Sequence, residues 1–147
     1  GRMTAAERLD GVRSAYAAAG LPLEPSLVVT DVRTPSDASR AAVALLDRAD
    51  PPTAFFSARN VIAEGVLRTL AARGRHYEIA HIGFDDFPLA DLLEPGLTVI
   101  RQDAQRLGER VGERLLARLD GDVGAPRHTV FTPTLVARGS GEITPPG

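Results

Sequence analysis

The chain has 147 residues, of which 44% are hydrophobic and 24% charged, a composition that fits one folded domain and excludes a disordered or fibrous chain. It has no cysteine, which excludes disulfides, thiol catalysis and thiolate metal sites. The net charge is −2 and all 17 basic residues are arginine, so a broad basic surface for nucleic acid is excluded within this segment.

The first half of the chain alternates predicted helices with short apolar strands. Apolar residues at three- and four-residue spacing predict a helix over residues 4–19, with Thr4 and Glu7 as its capping box. A β-branched run predicts a buried strand over residues 27–30. The pattern then repeats as helix, strand, helix and strand over residues 37–47, 53–56, 60–72 and 79–84. Such alternation predicts an α/β fold with a parallel sheet flanked by helices, which binds ligands at the carboxyl ends of its strands.

The pattern changes after Asp86. Residues 87–96 predict an irregular turn, and residues 97–101 an extended segment. A stripe of leucine and valine at four-residue spacing predicts a helix over residues 103–119. The residues that follow predict extended stretches at 128–131 and 134–137. Three strands before Asp86 are few for a sheet, and the first helix has no strand before it, so we expect a part of a larger unit.

Sequence motifs of catalysis are missing from the chain. No serine lies in a G-x-S-x-G elbow, no G-x-G-x-x-G follows a strand, and a phosphate loop needs a lysine that the chain does not have. Three histidines lack the spacing of metal ligands, so no metal and no cofactor is predicted: His76, His81 and His128. Asp85 and Asp86 follow the strand at 79–84, where a carboxylate can accept hydrogen bonds from a ligand, cap the next turn or bind magnesium.

Four motifs follow one another along the chain. They are P-T-A-F-F with A-E-G at residues 52–65, I-G-F-D-D-F-P-L at 82–89, L-T-V-I-R-Q-D with L-G at 97–108, and P-T-L-V-A-R-G-S at 133–140. Over residues 2–142 the chain therefore resembles the LacI/GalR-type (lactose-repressor family) transcriptional regulators. The resemblance implies a two-lobed, periplasmic-binding-protein-like core. Residues 1–102 would form most of its carboxyl-terminal lobe, residues 103–132 a crossover helix and strand of the absent amino-terminal lobe, and residues 133–147 a return strand and tail.

The resemblance also implies a function. Such a protein is a repressor that binds a small sugar-like effector between its lobes and operator DNA through a headpiece absent from this chain, as a homodimer and without a cofactor. The family motif R-x-T-x-x-x-R matches residues 2–8, so the implied effector contacts are Arg2, Thr4, Arg8, Asp85 and Gln102. The implied dimer contacts lie on the helix at 60–72 and in the turn at 89–93: Val61, Glu64, Gly65, Arg68, Leu89, Leu92 and Leu93.

Two arginines depart from the family pattern. Arg59 stands where the family has the Asn of an Asn-Asp pair, and Arg33 stands where an aromatic residue commonly stacks on the effector. If both face the crevice, they join Arg2 and Arg8 against the carboxylate of Asp85. An anionic effector, such as a sugar acid or sugar phosphate, would then balance the desolvated cations. If both face solvent instead, that argument for an anion is lost.

Two other functions fit the same pattern. An exported solute-binding protein of this fold would serve sugar uptake and would carry a signal peptide, whereas an α/β sugar isomerase would use Asp85 or Asp86 as its base. The amino terminus lacks the apolar core of a secretory signal, and no apolar run approaches the roughly 20 residues that cross a bilayer, so we expect a cytoplasmic protein. The Arg-Gly-Ser sequence at residues 138–140 favours the regulator over the solute-binding protein, and the isomerase would turn over sugars, whereas we expect no turnover.

Overall fold

The computed structural model describes the backbone of residues 2–145 and the side chains of residues 4–145. Helices and strands alternate along this part of the chain. Their order is α1 (Arg2–Ala18), a 3-10 turn (Pro25–Leu27), α2 (Pro35–Leu46), β1 (Ala54–Ser57), α3 (Asn60–Ala72), β2 (Ala80–Phe84), β3 (Thr98–Arg101), α4 (Ala104–Leu119) and β4 (Thr134–Val136). No helix of the described residues combines the length and the apolar character that crossing a membrane requires.

The four strands form one sheet in the order β1-β2-β3-β4. The first three strands run parallel, with Phe56 beside Ile82 and Gly83 beside Val99. Strand β4 runs antiparallel to β3, so the predicted α/β fold is confirmed but its sheet is mixed. An antiparallel edge strand on a parallel sheet is common, because a segment that returns from elsewhere can pair with the open edge in either direction. The carboxyl ends of β1, β2 and β3 consequently meet at one edge.

The core lies between the sheet and the packed helices α2 and α3. Buried apolar side chains fill this layer: Ala42, Leu46, Val66, Leu70 and Ile79. A second buried cluster joins α3 to β3 and the turn before it: Ala63, Ala90, Leu97 and Val99. Helix α2 begins with a capping box, in which Asp37 N donates to Thr34 Oγ1 and Thr34 N donates to an Asp37 carboxylate oxygen.

Two predictions about the first third of the chain are wrong. The strand predicted at residues 27–30 is not formed: Val28 is extended, but Val29 is 47% exposed and no strand of the described residues pairs with this segment. A β-branched run favours an extended backbone, but a strand also needs a neighbour to pair with. The capping box at Thr4 is wrong as well. Helix α1 begins at Arg2, because arginine and methionine are good helix formers and extend the helix upstream.

Helix α4 has no buried residue. Its apolar stripe is exposed along the whole helix: Leu107, Val111, Leu115 and Leu119. The extended segment predicted at residues 128–131 has no strand partner among the described residues, whereas the one at 134–137 forms β4. Residues 104–131 therefore make little use of the core formed by the sheet, α2 and α3.

Candidate ligand-binding crevice

An open crevice of about 460 Å³ lies at the carboxyl edge of the sheet. The ends of β2 and β3 and the beginnings of α3 and α4 contribute its walls, as the topology of a parallel sheet predicts. Its lining residues are Asn60, Asp85, Asp86, Arg101, Gln102, Ala104 and Leu107.

Asp85 and Gln102, two of the predicted effector contacts, are brought together in this crevice. Gln102 Nε2 donates a hydrogen bond to Asp85 Oδ1 over 2.7 Å, which joins the end of β2 to the segment after β3. Asp85 has φ 67°, a left-handed conformation that is unfavourable for a residue with a side chain and that aspartate tolerates better than most. Asp85 Oδ2 has no hydrogen-bond partner among the described residues and is free to accept one from a ligand hydroxyl.

Asp86 has a structural role that separates it from Asp85. Its two carboxylate oxygens accept hydrogen bonds from Arg138 Nη1 at 2.8 Å and Nη2 at 2.7 Å, and one oxygen also accepts from Phe87 N. The Arg138 guanidinium holds the pKa of Asp86 below its usual range. A carboxylate so engaged is a poor base, because protonation would break a bidentate ion pair.

The Arg-Gly-Ser sequence fastens the end of the chain to the sheet. Besides the Arg138–Asp86 pair, Ser140 Oγ donates to the His81 carbonyl at 2.6 Å and accepts from Thr98 N at 2.9 Å. Gly139 between them has φ 103°, a conformation in which a side chain would be strained. The described hydrogen bonds of the motif thus join parts of the fold to one another.

Arg8 reaches the same edge from α1. Its Nη1 donates to the Ala58 carbonyl at 2.6 Å, just after β1, and its guanidinium carbon lies 3.6 Å from the centre of the Phe84 ring at the end of β2. The cation–π contact and the hydrogen bond hold the guanidinium between the ends of two strands. Thr4 lies one helical turn before Arg8 and is exposed, whereas the side chain of Arg2 lies outside the described residues.

Arg33 and Arg59, the two departures from the family pattern, are both exposed and do not line the crevice. Arg59 Nη2 donates to the carbonyls of Val32 at 3.0 Å and Arg33 at 3.3 Å. Asp37 accepts hydrogen bonds from the backbone N–H groups of Arg33 and Thr34 on the other side of the same loop. The loop at residues 31–34 is therefore held against the end of β1 by a guanidinium.

Sequence reasoning did not identify Asn60 and Arg101 as crevice residues. Arg101 is the last residue of β3, and Asn60 is the first residue of α3, three residues after the end of β1. Their position next to predicted contacts was the available signal. Residues 4–145 bring together no group of three histidine or acidic side chains able to hold a metal ion.

Of the residues predicted for dimer contact, all but Gly65 are at least partly exposed, whereas Gly65 is buried against α2. Leu89 is 65% exposed, Leu92 72% and Leu93 38%, while Val61 is partly buried and Arg68 forms an ion pair with Glu64 on the α3 surface. Gly65 faces α2 within the chain, where an added Cβ would meet the Pro35 carbonyl oxygen at 2.2 Å. The prediction of a dimer contact at Gly65 is therefore corrected, because α2 already occupies the space beside it.

Comparison with known proteins supports the resemblance to the LacI/GalR-type regulators. Residues 1–141 match the family described as a periplasmic binding protein-like domain. The HTH-type transcriptional regulator CelR of Thermobifida fusca is 34% identical over 137 residues, which cover 92% of this chain and 40% of CelR. Similar solved structures are a CelR–cellobiose complex (TM-score 0.81, 33% identity, 92% of this chain and 42% of that chain) and a regulatory protein of the LacI family from Chloroflexus aggregans (TM-score 0.83, 30%, 90% and 49%). The chain thus spans less than half the length of these relatives.

Proposed function

Since the chain belongs to the periplasmic binding protein-like family, among the regulators of the LacI type, we propose that it is the effector-binding and dimerisation region of a transcriptional repressor. The repressor would bind a small sugar-like effector here and operator DNA through a headpiece outside this chain, in the cytoplasm. The observation that carries this proposal is the Asp85–Gln102 hydrogen bond between two residues that line an open crevice, which leaves the second carboxylate oxygen of Asp85 without a partner among the described residues. We expect binding without turnover, and the bidentate pairing of Asp86 with Arg138 supports this because it engages one of the two candidate bases.

The crevice residues suit a polyhydroxylated ligand. Asp85 Oδ2 accepts a hydrogen bond from a ligand hydroxyl, and Gln102 keeps its amide oxygen for a second one. Arg8 keeps N–H groups that its bond to Ala58 does not use, and these donate to ligand oxygens at the β1 side. An effector that bridges this edge and a second lobe would favour one arrangement of the lobes, and it can shift their equilibrium only by its differential affinity for the two.

We propose that residues 103–132 belong to that second lobe. The exposed leucine stripe of α4 and the absence of any buried residue along it support this assignment. The return of the chain as β4 at the open edge of the sheet supports the assignment of residues 133–147 to the first lobe.

Asp85→Asn tests the binding role with little change to the fold. Asparagine tolerates the left-handed backbone of Asp85 and can still accept the hydrogen bond from Gln102, but it offers the ligand a donor in place of Oδ2. We expect sugar affinity of the full-length protein to fall about 10- to 100-fold by isothermal titration, as losing a hydrogen bond to a charged acceptor predicts.

Asp10→Asn is the matched control, because Asp10 is an exposed carboxylate on α1 that pairs with Arg13. It should leave affinity unchanged. Equal affinities of the two variants would contradict the proposed site, and conversion of the bound sugar to an isomer, followed by NMR, would favour the isomerase instead.

The surface formed by Val61, Glu64, Arg68, Leu89, Leu92 and Leu93 is our proposed dimer contact, supported by the exposure of three leucines on one turn. Leu92→Asp places a charge in that surface, so we expect the full-length dimer to dissociate to monomers in light scattering at micromolar concentration. Leu21→Asp, at a leucine that is 59% exposed elsewhere, should leave the dimer intact. A wild-type monomer would contradict the proposal directly.

A further inference from the structure

Arginines without a carboxylate partner collect at the crevice edge. Among the described side chains, nine arginines form ion pairs with aspartate or glutamate. Four that lie at the strand ends or on the loop held there form none of these pairs: Arg8, Arg33, Arg59 and Arg101. The other described arginines without an ion pair lie on α4 and in the segment after it.

The charge at this edge is unevenly distributed. On the β1 side, the described carboxylates on or against the loop at residues 31–34 are Asp31, which is exposed, and Asp37, which is paired with Arg40. Three of the unpaired arginines lie on this side. On the β2–β3 side, Arg101 has Asp85 nearby, Asp103 caps α4 by accepting from Arg106 N, and Asp86 is neutralised by Arg138. The β1 side is therefore cationic, and the Asp85 side is not.

Two of the β1-side guanidinium groups are fixed in place without being neutralised. Arg8 donates to the Ala58 carbonyl, and Arg59, the next residue along, donates through Nη2 to two carbonyls of the loop. Carbonyl oxygens orient a guanidinium but do not cancel its charge. Arg59 Nε and Nη1 have no acceptor among the described residues, and neither does Arg8 Nη2, so planar donor groups are left for an oxyanion.

We infer, on the premise of the proposed function, that the effector carries a carboxylate or phosphate group, which extends beyond the lining of the crevice to the N–H groups of Arg8 and Arg59 on the β1 side while its hydroxyls bind Asp85 and Gln102. This fixes both the class of ligand and its orientation. An acidic ligand placed the other way round would bring its anion against the Asp85 carboxylate. Arg59 thereby determines specificity, since it adds a fixed positive charge without lining the hydroxyl-binding part of the crevice.

Matched pairs of sugars test the inference on the full-length protein. Glucose with glucose 6-phosphate, ribose with ribose 5-phosphate, and galactose with galacturonate differ within each pair mainly by the anionic group. In the pair that binds best, we expect the acid to bind at least about tenfold more tightly by isothermal titration, because charge-assisted bidentate hydrogen bonds are strong. The preference should shrink as salt is raised from about 0.05 M to 0.5 M, where charges are screened.

Arg59→Gln removes the charge and keeps a hydrogen-bond donor for the loop. It should reduce the preference for the acid to about threefold or less while changing affinity for the neutral sugar little. Arg75→Gln, which removes an arginine paired with Glu78 away from the crevice, should leave the preference unchanged.

The outcomes separate this inference from the function it rests on. Equal or tighter binding of the neutral sugar overturns the inference and leaves the sugar-binding function standing. An unchanged preference in Arg59→Gln overturns the placement of the anion beside Arg59. Failure of every pair to bind counts against both the inference and the proposed function.

Discussion

Replacing Gly65 by alanine is expected to lower the free energy of unfolding by about 3 kcal/mol, the upper range for overpacking a core. A Cβ at this position would lie 2.2 Å from the Pro35 carbonyl oxygen and 2.6 Å from Ala38 Cβ. Backbone at the start of α2 cannot yield as a flexible side chain does, so α2 and α3 must move apart. The same movement would weaken the hydrogen bond from Ser39 Oγ to the Gly65 carbonyl.

Gly11→Ala is the matched control for this substitution. Gly11 also lies inside a helix, but an added Cβ there meets no atom within 4 Å. Alanine loses less backbone entropy than glycine on helix formation, so this variant is expected to gain roughly 0.5–1 kcal/mol. Chemical denaturation followed by circular dichroism compares the two. Similar values for both variants would mean that α2 and α3 are not in the close contact described.

Acid is expected to destabilise the fold well before its carboxylates are protonated, because of one histidine. His81 is fully buried in β2, its Nε2 lies 2.9 Å from Ser57 Oγ, and its Nδ1 has no hydrogen-bond partner. Burial lowers the pKa of His81 from 6.5 to about 4, because the charged ring would lose its hydration without gaining a counter-charge.

The sign of the pH effect follows from this pKa. Between pH 6.5 and about 4 the unfolded chain binds a proton at His81 that the folded chain does not, so stability falls as the pH falls through this window. The full loss is about 3 kcal/mol. The pKa of Asp86 is lowered from 3.8, so its stabilising contribution is present above that pH and is lost only in more acidic solution.

His81→Gln isolates the histidine. Glutamine does not titrate and retains a polar group for Ser57, so the variant should lose most of the stability change between pH 7 and 4.5. His128→Gln is the control, since His128 is exposed. Denaturant midpoints measured at half-unit steps of pH give the comparison. A wild-type chain as stable at pH 4.5 as at pH 7 would contradict the burial of His81 described here.

Most of the secondary structure could be predicted from the amino-acid sequence. Helix α3 begins and ends where predicted, because Gly74 ends a run of apolar residues at helical spacing. The strands β1, β2 and β3 lie within two residues of their predicted bounds. Local patterns suffice to predict such elements, because helical spacing, turn residues and short apolar runs mark each of them in the sequence. The prediction for residues 27–30 was wrong because pairing with another strand is not a local property.

The roles of Asp85 and Asp86 could not be assigned from local sequence patterns. Position alone made either aspartate a candidate for ligand contact or for a base, and only the family resemblance singled out Asp85 as an effector contact. In the structure, Asp86 forms an ion pair with Arg138, a residue 52 positions away. Asp85 instead accepts a hydrogen bond from Gln102 across the crevice. The role of each carboxylate depends on which arginine or amide the fold brings to it.

The order of most helices and strands, the α/β class, the family and the edge at which a ligand is expected to bind were predicted from the sequence alone. They depend on hydrophobic period, on turn residues and on short motifs, all of which are local. Only the tertiary structure decided that α2 occupies the space beside Gly65, that Arg59 holds a loop, and that the positive charge collects on the β1 side. Those outcomes depend on contacts between residues more than 20 positions apart, and sequence spacing carries no record of such distances.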